Sequence, residues 1–189
     1  MKNTMLTFSF LLITAISFAQ DKKMDLRIGY GVVTVPQIVE GLSTVLATGL
    51  VPGGYSSVDM SGSGALNGSL LFFPEKRFSM GIDMVMEKNK STYSYSNGSK
   101  STLKNSWWTF MARGDYKYTK EDNFVKLYAS ASAGASLLSS KGSGKKDKNT
   151  TFAFHVTPIG VRMGRSFAFY AEGGFGFKGL LNAGLSAQL

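Results

Sequence analysis

Two-residue periodicity constrains this chain more than any other feature, and it is clearest from Phe167 to Leu189. One face carries Phe167, Phe169, Ala171, Gly173, Phe175 and Phe177, the other Ala168, Tyr170, Glu172, Gly174, Gly176 and Lys178. After Gly179 the alternation resumes, with Leu181, Ala183, Leu185, Ala187 and Leu189 set against Asn182, Gly184, Ser186 and Gln188. The aromatic face bears no charge. Such a hairpin fits either a soluble sandwich, with the apolar face inward, or a barrel with that face in lipid, and the rest of the chain must decide between them.

The 189 residues suffice for one domain, and no stretch reads as a linker. Residues 1–19 have the layout of a cleaved secretory signal: Lys2 supplies the positive start, Leu6 to Ile16 the apolar run, and Ser17-Phe18-Ala19 the small-x-small cleavage pattern. The expected mature domain is therefore 20–189. The apolar run is shorter than the ~20 residues of a spanning helix, and no later segment is long and apolar enough to be one. Without cysteine, an exported chain must hold together by burial and hydrogen bonding, which a closed barrel achieves. The net charge of +9 would suit nucleic acid. The export signal and the clustering of lysines in loops, away from exposed aromatics, argue against that partner and exclude it from the expectations.

Strand patterns recur along the chain. Met24 to Val33 places Leu26, Ile28, Tyr30 and Val32 on one face and Arg27, Gly29 and Gly31 on the other. The period then becomes helical over 34–50: Thr34 and Gln37 have capping-box spacing, Pro36 sits in the first turn, and Ile38, Leu42, Val45, Leu46 and Gly49 form one stripe. Such an amphipathic helix could cap a barrel mouth, lie on the outer leaflet or line an entrance. Val58 to Phe73 is a second strand, with Met60, Leu66, Leu70 and Phe72 on one face. The third alternates Phe78, Met80, Ile82, Met84 and Met86 against Ser79, Gly81, Asp83, Val85 and Glu87, and runs on to Tyr93 and Tyr95 before a turn at Asn97-Gly98. The fourth sets Trp108, Phe110, Ala112, Gly114 and Tyr116 against Trp107, Thr109, Met111, Arg113, Asp115 and Lys117. The fifth sets Val125, Leu127, Ala129, Ala131, Ala133, Ala135 and Leu137 against Lys126, Tyr128, Ser130, Ser132, Gly134 and Ser136. The sixth carries Phe152, Phe154 and Val156, changes phase at Pro158 as a bulge would, and continues with Ile159, Val161 and Met163.

With the terminal hairpin this makes eight strands, joined by tight turns near Pro74, Glu121 and Arg165 and, at the other end, by longer connections apart from a short one near Lys178-Gly179. Aromatics gather at both ends: Phe78, Tyr116, Tyr118, Phe167 and Phe169 near the tight turns, and Tyr93, Trp107, Trp108, Phe152, Phe154, Phe175 and Phe177 near the loops. A narrow eight-stranded interior accepts Gly, Ser, Ala and a few charges more readily than so many large apolar side chains, so the uncharged faces are expected to meet lipid. Buried charge is then tolerable only if paired. The expected lumen cluster is Arg113 with Asp83 or Glu172, and Asp115 and Lys126 nearby.

The signal ending at Ala19, the Met24 to Gly31 strand, Pro158-Ile159-Gly160-Val161-Arg162 and Tyr170-Ala171-Glu172-Gly173-Gly174-Phe175-Gly176-Phe177-Lys178-Gly179 together resemble a small bacterial outer-membrane barrel of the OmpA/OmpX-like kind. The resemblance covers the whole mature chain. It implies an all-β, eight-stranded antiparallel up-and-down transmembrane barrel with one short helix after strand 1, located in the outer membrane. It implies barrel-insertion machinery during biogenesis and a monomer among lipid and lipopolysaccharide. The chain departs from that family at Leu189, where an aromatic is usual.

Catalytic and ligand-binding motifs fail on context. Gly174-x-Gly176-x-x-Gly179 lies on a hairpin, not between a strand and a helix. Gly142-Ser143-Gly144-Lys145-Lys146 lacks phosphate-loop spacing, and His155 is the only histidine, so no cofactor and no metal site are expected. A hydrolase built on His155, a serine and Glu172 would need residues that lie at different depths. Three functions remain open: a non-enzymatic surface barrel serving envelope integrity or surface interaction, a carrier or narrow pore for small apolar molecules, and a lipid-modifying enzyme. The charged lumen favours the first over the second and the missing catalytic set disfavours the third. Lys141, Lys145, Lys146 and Lys148 in one outer loop are candidate contacts for anionic lipid, with Lys88, Lys90, Lys100 and Lys104 flanking the neighbouring hairpin.

Overall fold

Eight antiparallel strands close on themselves in chain order, β1 pairing with β8 as well as with β2. The computed structural model describes residues 24–50, 55–73, 77–95, 98–120, 123–142 and 145–189. The expected signal segment lies outside the described residues. The strands are β1 Met24–Val32, β2 Tyr55–Phe72, β3 Phe78–Tyr95, β4 Lys100–Lys117, β5 Val125–Gly142, β6 Lys145–Gly164, β7 Phe167–Gly176 and β8 Leu181–Gln188, with one helix, α1, over Val35–Leu50. The architecture is the closed up-and-down barrel that the alternation implies.

Over the span that all eight strands share, closure leaves the ladder without an edge and each strand bonds to two neighbours, whereas the outer halves of β2 and β6 have one partner strand each. Alternation then sorts side chains between inside and outside. Ile28, Ile82 and Phe167 are 60, 61 and 81 % exposed, while Arg27, Arg113 and Glu172 are 2, 3 and 2 % exposed. A water-soluble fold has the opposite distribution. Apolar outside and charged inside is the arrangement of a barrel solvated by hydrocarbon.

Strand lengths divide the barrel in two. β1, β7 and β8 have 9, 10 and 8 residues, enough to cross a hydrocarbon layer with tilt. β2 to β5 have 18 residues each and β6 has 20. At about 3.3 Å per residue, these five form a curved wall reaching well past the rim, with the β7–β8–β1 side left low.

Two irregularities shift which residues face inward. In β2 the register slips between Gly62 and Ala65, where Gly64 adopts a left-handed φ of 68°. Leu66 pairs with outward Met86, but Met60 pairs with buried Ser91, so Met60 lies on the inner side and not with Leu66 and Leu70 as simple alternation predicts. In β6 the register slips between Val156 and Ile159, around Pro158, which has no N–H to lose from the ladder.

The outer aromatic girdle is smaller than the sequence predicts. Trp108, Phe152, Phe154 and Phe175 face outward. Trp107 is buried, because it neighbours Trp108 on one strand and the two cannot share a face. Phe177 is buried because it follows β7 into the turn and points back over the lumen, its N–H donating to the Phe154 carbonyl at 3.0 Å. Tyr93 faces α1, its hydroxyl 3.4 Å from the Thr44 hydroxyl.

The outward assignment makes a direct prediction for Ala131, exposed and midway along β5. Ala131→Arg is expected to cost about 2 to 4 kcal/mol in urea unfolding of bilayer-inserted protein, and the same change at exposed Ser99, beyond the rim, is expected to be neutral. Equal tolerance at the two sites contradicts a lipid-facing β5.

Candidate functional site

The lumen is filled by one ionic cluster. Arg113 on β4 donates through Nε to Asp115 Oδ1 at 2.6 Å and through Nη2 to Glu172 Oε1 at 2.7 Å, with Asp83 Oδ1 3.5 Å from Nη1. Arg27 on β1 is the second centre: its Nε donates to Asp25 at 3.0 Å, and Nη1 lies 3.3 Å from Asp115 and 3.6 Å from Glu172. Lys178 closes the far side, Nζ lying 2.9 Å from Glu172 Oε2 and 3.8 Å from Asp83 Oδ2. Glu172 thus faces Arg27, Arg113 and Lys178 at once, and accepts further bonds from Tyr128 at 3.0 Å and Asn182 at 2.8 Å.

The remaining lone pairs are covered by small polar side chains from several strands. Ser69 and Ser132 donate to Asp83 at 2.5 and 2.7 Å. Ser186 donates to Asp25 at 2.5 Å and accepts from Arg162 Nε at 2.7 Å. The Arg27 guanidinium stacks 4.7 Å from the Tyr128 ring centroid and 5.7 Å from that of Tyr170. A glycine opposite makes room for this: a Cβ on Gly29 would overlap the Tyr170 hydroxyl. Four carboxylates (Asp25, Asp83, Asp115, Glu172) therefore meet four cations (Arg27, Arg113, Arg162, Lys178) across the barrel. Such compensation is what makes burial of each affordable in a narrow interior.

Of the residues singled out in the sequence, Asp83, Arg113, Asp115 and Glu172 come together. Lys126 is buried in the same lumen nearer the tight turns, donating to Gln188 Oε1 at 3.3 Å. Sequence reasoning missed Arg27, Asp25, Arg162 and Lys178 as members. Arg27 and Lys178 fall on the face opposite the uncharged one, Lys178 in phase with Glu172, so alternation could have found them. Asp25 opens its strand and Arg162 follows the β6 phase change, which hid both.

Above the ions lies an apolar layer of Ala65, Val85, Trp107, Met111, Ala153 and Phe177, with Val35 and Leu138 against it. Trp107 and Phe177 meet edge to face, centroids 6.2 Å apart. Helix α1 covers this layer. Its start is a closed capping box: Gln37 N donates to Thr34 Oγ1 at 3.2 Å and Thr34 N to Gln37 Oε1 at 3.3 Å. Val33, with φ 57°, makes the turn into it and its carbonyl accepts from Leu180 N at 3.1 Å. The helix turns its polar side to the wall, where Glu40 accepts from Trp107 Nε1 at 2.8 Å, and leaves Ile38, Leu42, Val45 and Leu46 exposed.

The only histidine, His155, is wholly buried, its Nδ1 accepting from Lys178 N at 3.4 Å. Among the described residues no group of three or more His, Cys, Asp and Glu is arranged to hold a metal ion. On the outer wall Lys141 and Lys148 are exposed, whereas the side chains of Lys145 and Lys146 lie outside the described residues.

No protein-family model matches the chain, and no curated protein does. Among solved structures it is similar to the N-terminal β-barrel domain of Pseudomonas aeruginosa OprF, at 12 % identity and a TM-score of 0.47, over 88 % of this chain and 95 % of that one.

The shared charges of the cluster make its members non-additive. Arg113→Met is expected to cost about 3 to 5 kcal/mol, because Glu172, Asp83 and Asp115 each lose a partner. Adding Glu172→Gln to that variant is expected to cost less than the same change in the wild type, measured by urea unfolding in bilayers. Strict additivity would contradict a single coupled cluster.

Proposed function

We propose that the protein is a non-enzymatic outer-membrane barrel that serves envelope integrity or surface interaction, with a sealed lumen and its extended outer wall as the working surface. The observation that carries this reading is the lumen itself. Arg27 and Arg113 span it to carboxylates on other strands, and a Trp107–Phe177 layer and α1 lie above. An eight-stranded barrel has room for side chains and little else, and a solute would have to break several buried ion pairs to cross.

The same filling weighs against the carrier or pore, since an apolar molecule would meet a charged layer at mid-depth. Burial of His155 and the engagement of Glu172 by three cations weigh against a lipid-modifying enzyme, whose catalytic groups must reach a substrate. The exposed apolar belt supports residence in a membrane, and the resemblance in the sequence supports the outer one, reached with a cleaved signal over 1–19. Outer-membrane lipid, lipopolysaccharide and the barrel-insertion machinery are the partners this reading requires, and the wall's own closure favours a monomer.

Two measurements test the proposal together. The protein is expected in the outer-membrane fraction, migrating faster on gels when unheated, and its reconstituted form is expected to give no porin-like current in planar bilayers. Steady porin-level conductance would contradict the sealed lumen, and a soluble fraction would contradict the membrane assignment.

A further inference from the structure

The outer surface of the wall carries charges that the barrel itself does not balance. Outward residues of β3, β4, β5 and β6 form lateral rows through the sheet register. Met86, Trp108, Leu137 and Thr150 make the last row of the apolar belt, and Lys88, Ser106, Ser139 and Lys148 make the next. Above them, Lys90 stands opposite Lys104 and Lys104 opposite Lys141. Two successive like-charged pairs across neighbouring strands are unfavourable in an isolated sheet.

No described carboxylate relieves them. Among the described residues none of Lys88, Lys90, Lys104 and Lys141 forms an ion pair. Glu87 and Asp147 belong to the opposite side of the sheet, paired with Trp107 and Ser140, and Asp59 lies one row further out, opposite Thr92. These same four lysines line a concavity of about 600 Å³ together with Ser63 and Trp108. Its lining therefore brings four lysines together, and it includes the tryptophan that ends the lipid-facing belt.

From this juxtaposition we infer that the concavity is a binding site for the phosphorylated headgroup of an outer-leaflet glycolipid. The inference rests on the membrane orientation proposed above, and it names the ligand class of the outer wall. Such a lipid presents phosphates at the height where the lysines stand while its acyl chains run down past Trp108 and Leu137. A bound phosphate relieves the Lys90–Lys104–Lys141 repulsion, so the row is stable when occupied and strained when empty. The lipid, not soluble phosphate, is the occupant because the site opens directly onto the apolar belt.

The test uses the full-length protein folded in detergent and purified lipopolysaccharide, intact or stripped of its phosphates. Lys88→Gln/Lys90→Gln/Lys104→Gln/Lys141→Gln is expected to retain intact lipopolysaccharide at least about tenfold more weakly than wild type. A control removing three exposed cations at the opposite, tight-turn end, Arg77→Gln/Lys120→Gln/Arg165→Gln, is expected to retain it normally. Binding should weaken steeply as the Debye length falls from ~10 Å at 0.1 M to ~3 Å at 1 M salt. Folding of each variant is checked by its unheated gel mobility. If the quadruple variant does not fold, Lys104→Gln alone serves: without lipid it should raise the urea midpoint, and with lipid it should lower the gain that lipopolysaccharide confers. Equal retention by wild type and the quadruple variant overturns the inference and leaves a merely solvated face. So does equal loss in the control, equal retention of the phosphate-stripped lipid, equal binding to phosphatidylglycerol vesicles, or competition by millimolar inorganic phosphate that matches the lipid. None of these results touches the sealed lumen, which the conductance measurement judges separately.

Discussion

Everything else in this barrel depends on how four carboxylates and four cations share a lumen too narrow for water-filled space. Arg27 and Arg113 each reach carboxylates on more than one strand, and Glu172 receives Arg27, Arg113 and Lys178 together. Backbone hydrogen bonds close the ladder, but they would close it equally well in other registers. A one-residue slip on any strand would send its charges into lipid and its Ile, Met and Phe side chains into the cluster. The pairs are compatible with this one register, since a slip would separate every charge from its partners.

The barrel was legible because alternation is a local property. Each of the eight strands declares its two faces within a few residues, and the clustering of Asp83, Arg113, Asp115 and Glu172 follows from their inner positions. What was hidden depends on non-local geometry. A bulge at Gly64 exchanges the faces of β2, so Met60 changes sides. The turn after Gly176 brings Phe177 over the lumen. Trp107 was correctly placed on the inner face by alternation, yet its aromatic character suggested a girdle, and the pairing with Glu40 on α1 could not be seen without knowing where the helix lies.

The helix illustrates the same limit. Its capping box and apolar stripe were readable, and both are present. Its orientation was not, because an amphipathic helix beside a membrane barrel has two apolar environments to choose from. Here Gln37, Glu40 and Thr44 take the wall, where Glu87, Trp107 and Tyr93 offer polar partners, and the apolar stripe is left exposed. The lysine rows are similar: each lysine was visible, but only the register set them opposite one another.

Whether this chain is polar inside and lipid-facing outside is read most directly from its two tryptophans, which are adjacent on β4 and point in opposite directions. Trp107 is 9 % exposed and Trp108 39 %. In bilayers containing lipid brominated along its acyl chains, the Trp107→Phe variant, which keeps only Trp108, is expected to lose most of its fluorescence. The Trp108→Phe variant, which keeps only Trp107, is expected to lose little. Equal quenching of the two, or stronger quenching of Trp107, would contradict a barrel with a polar interior and a lipid-facing exterior.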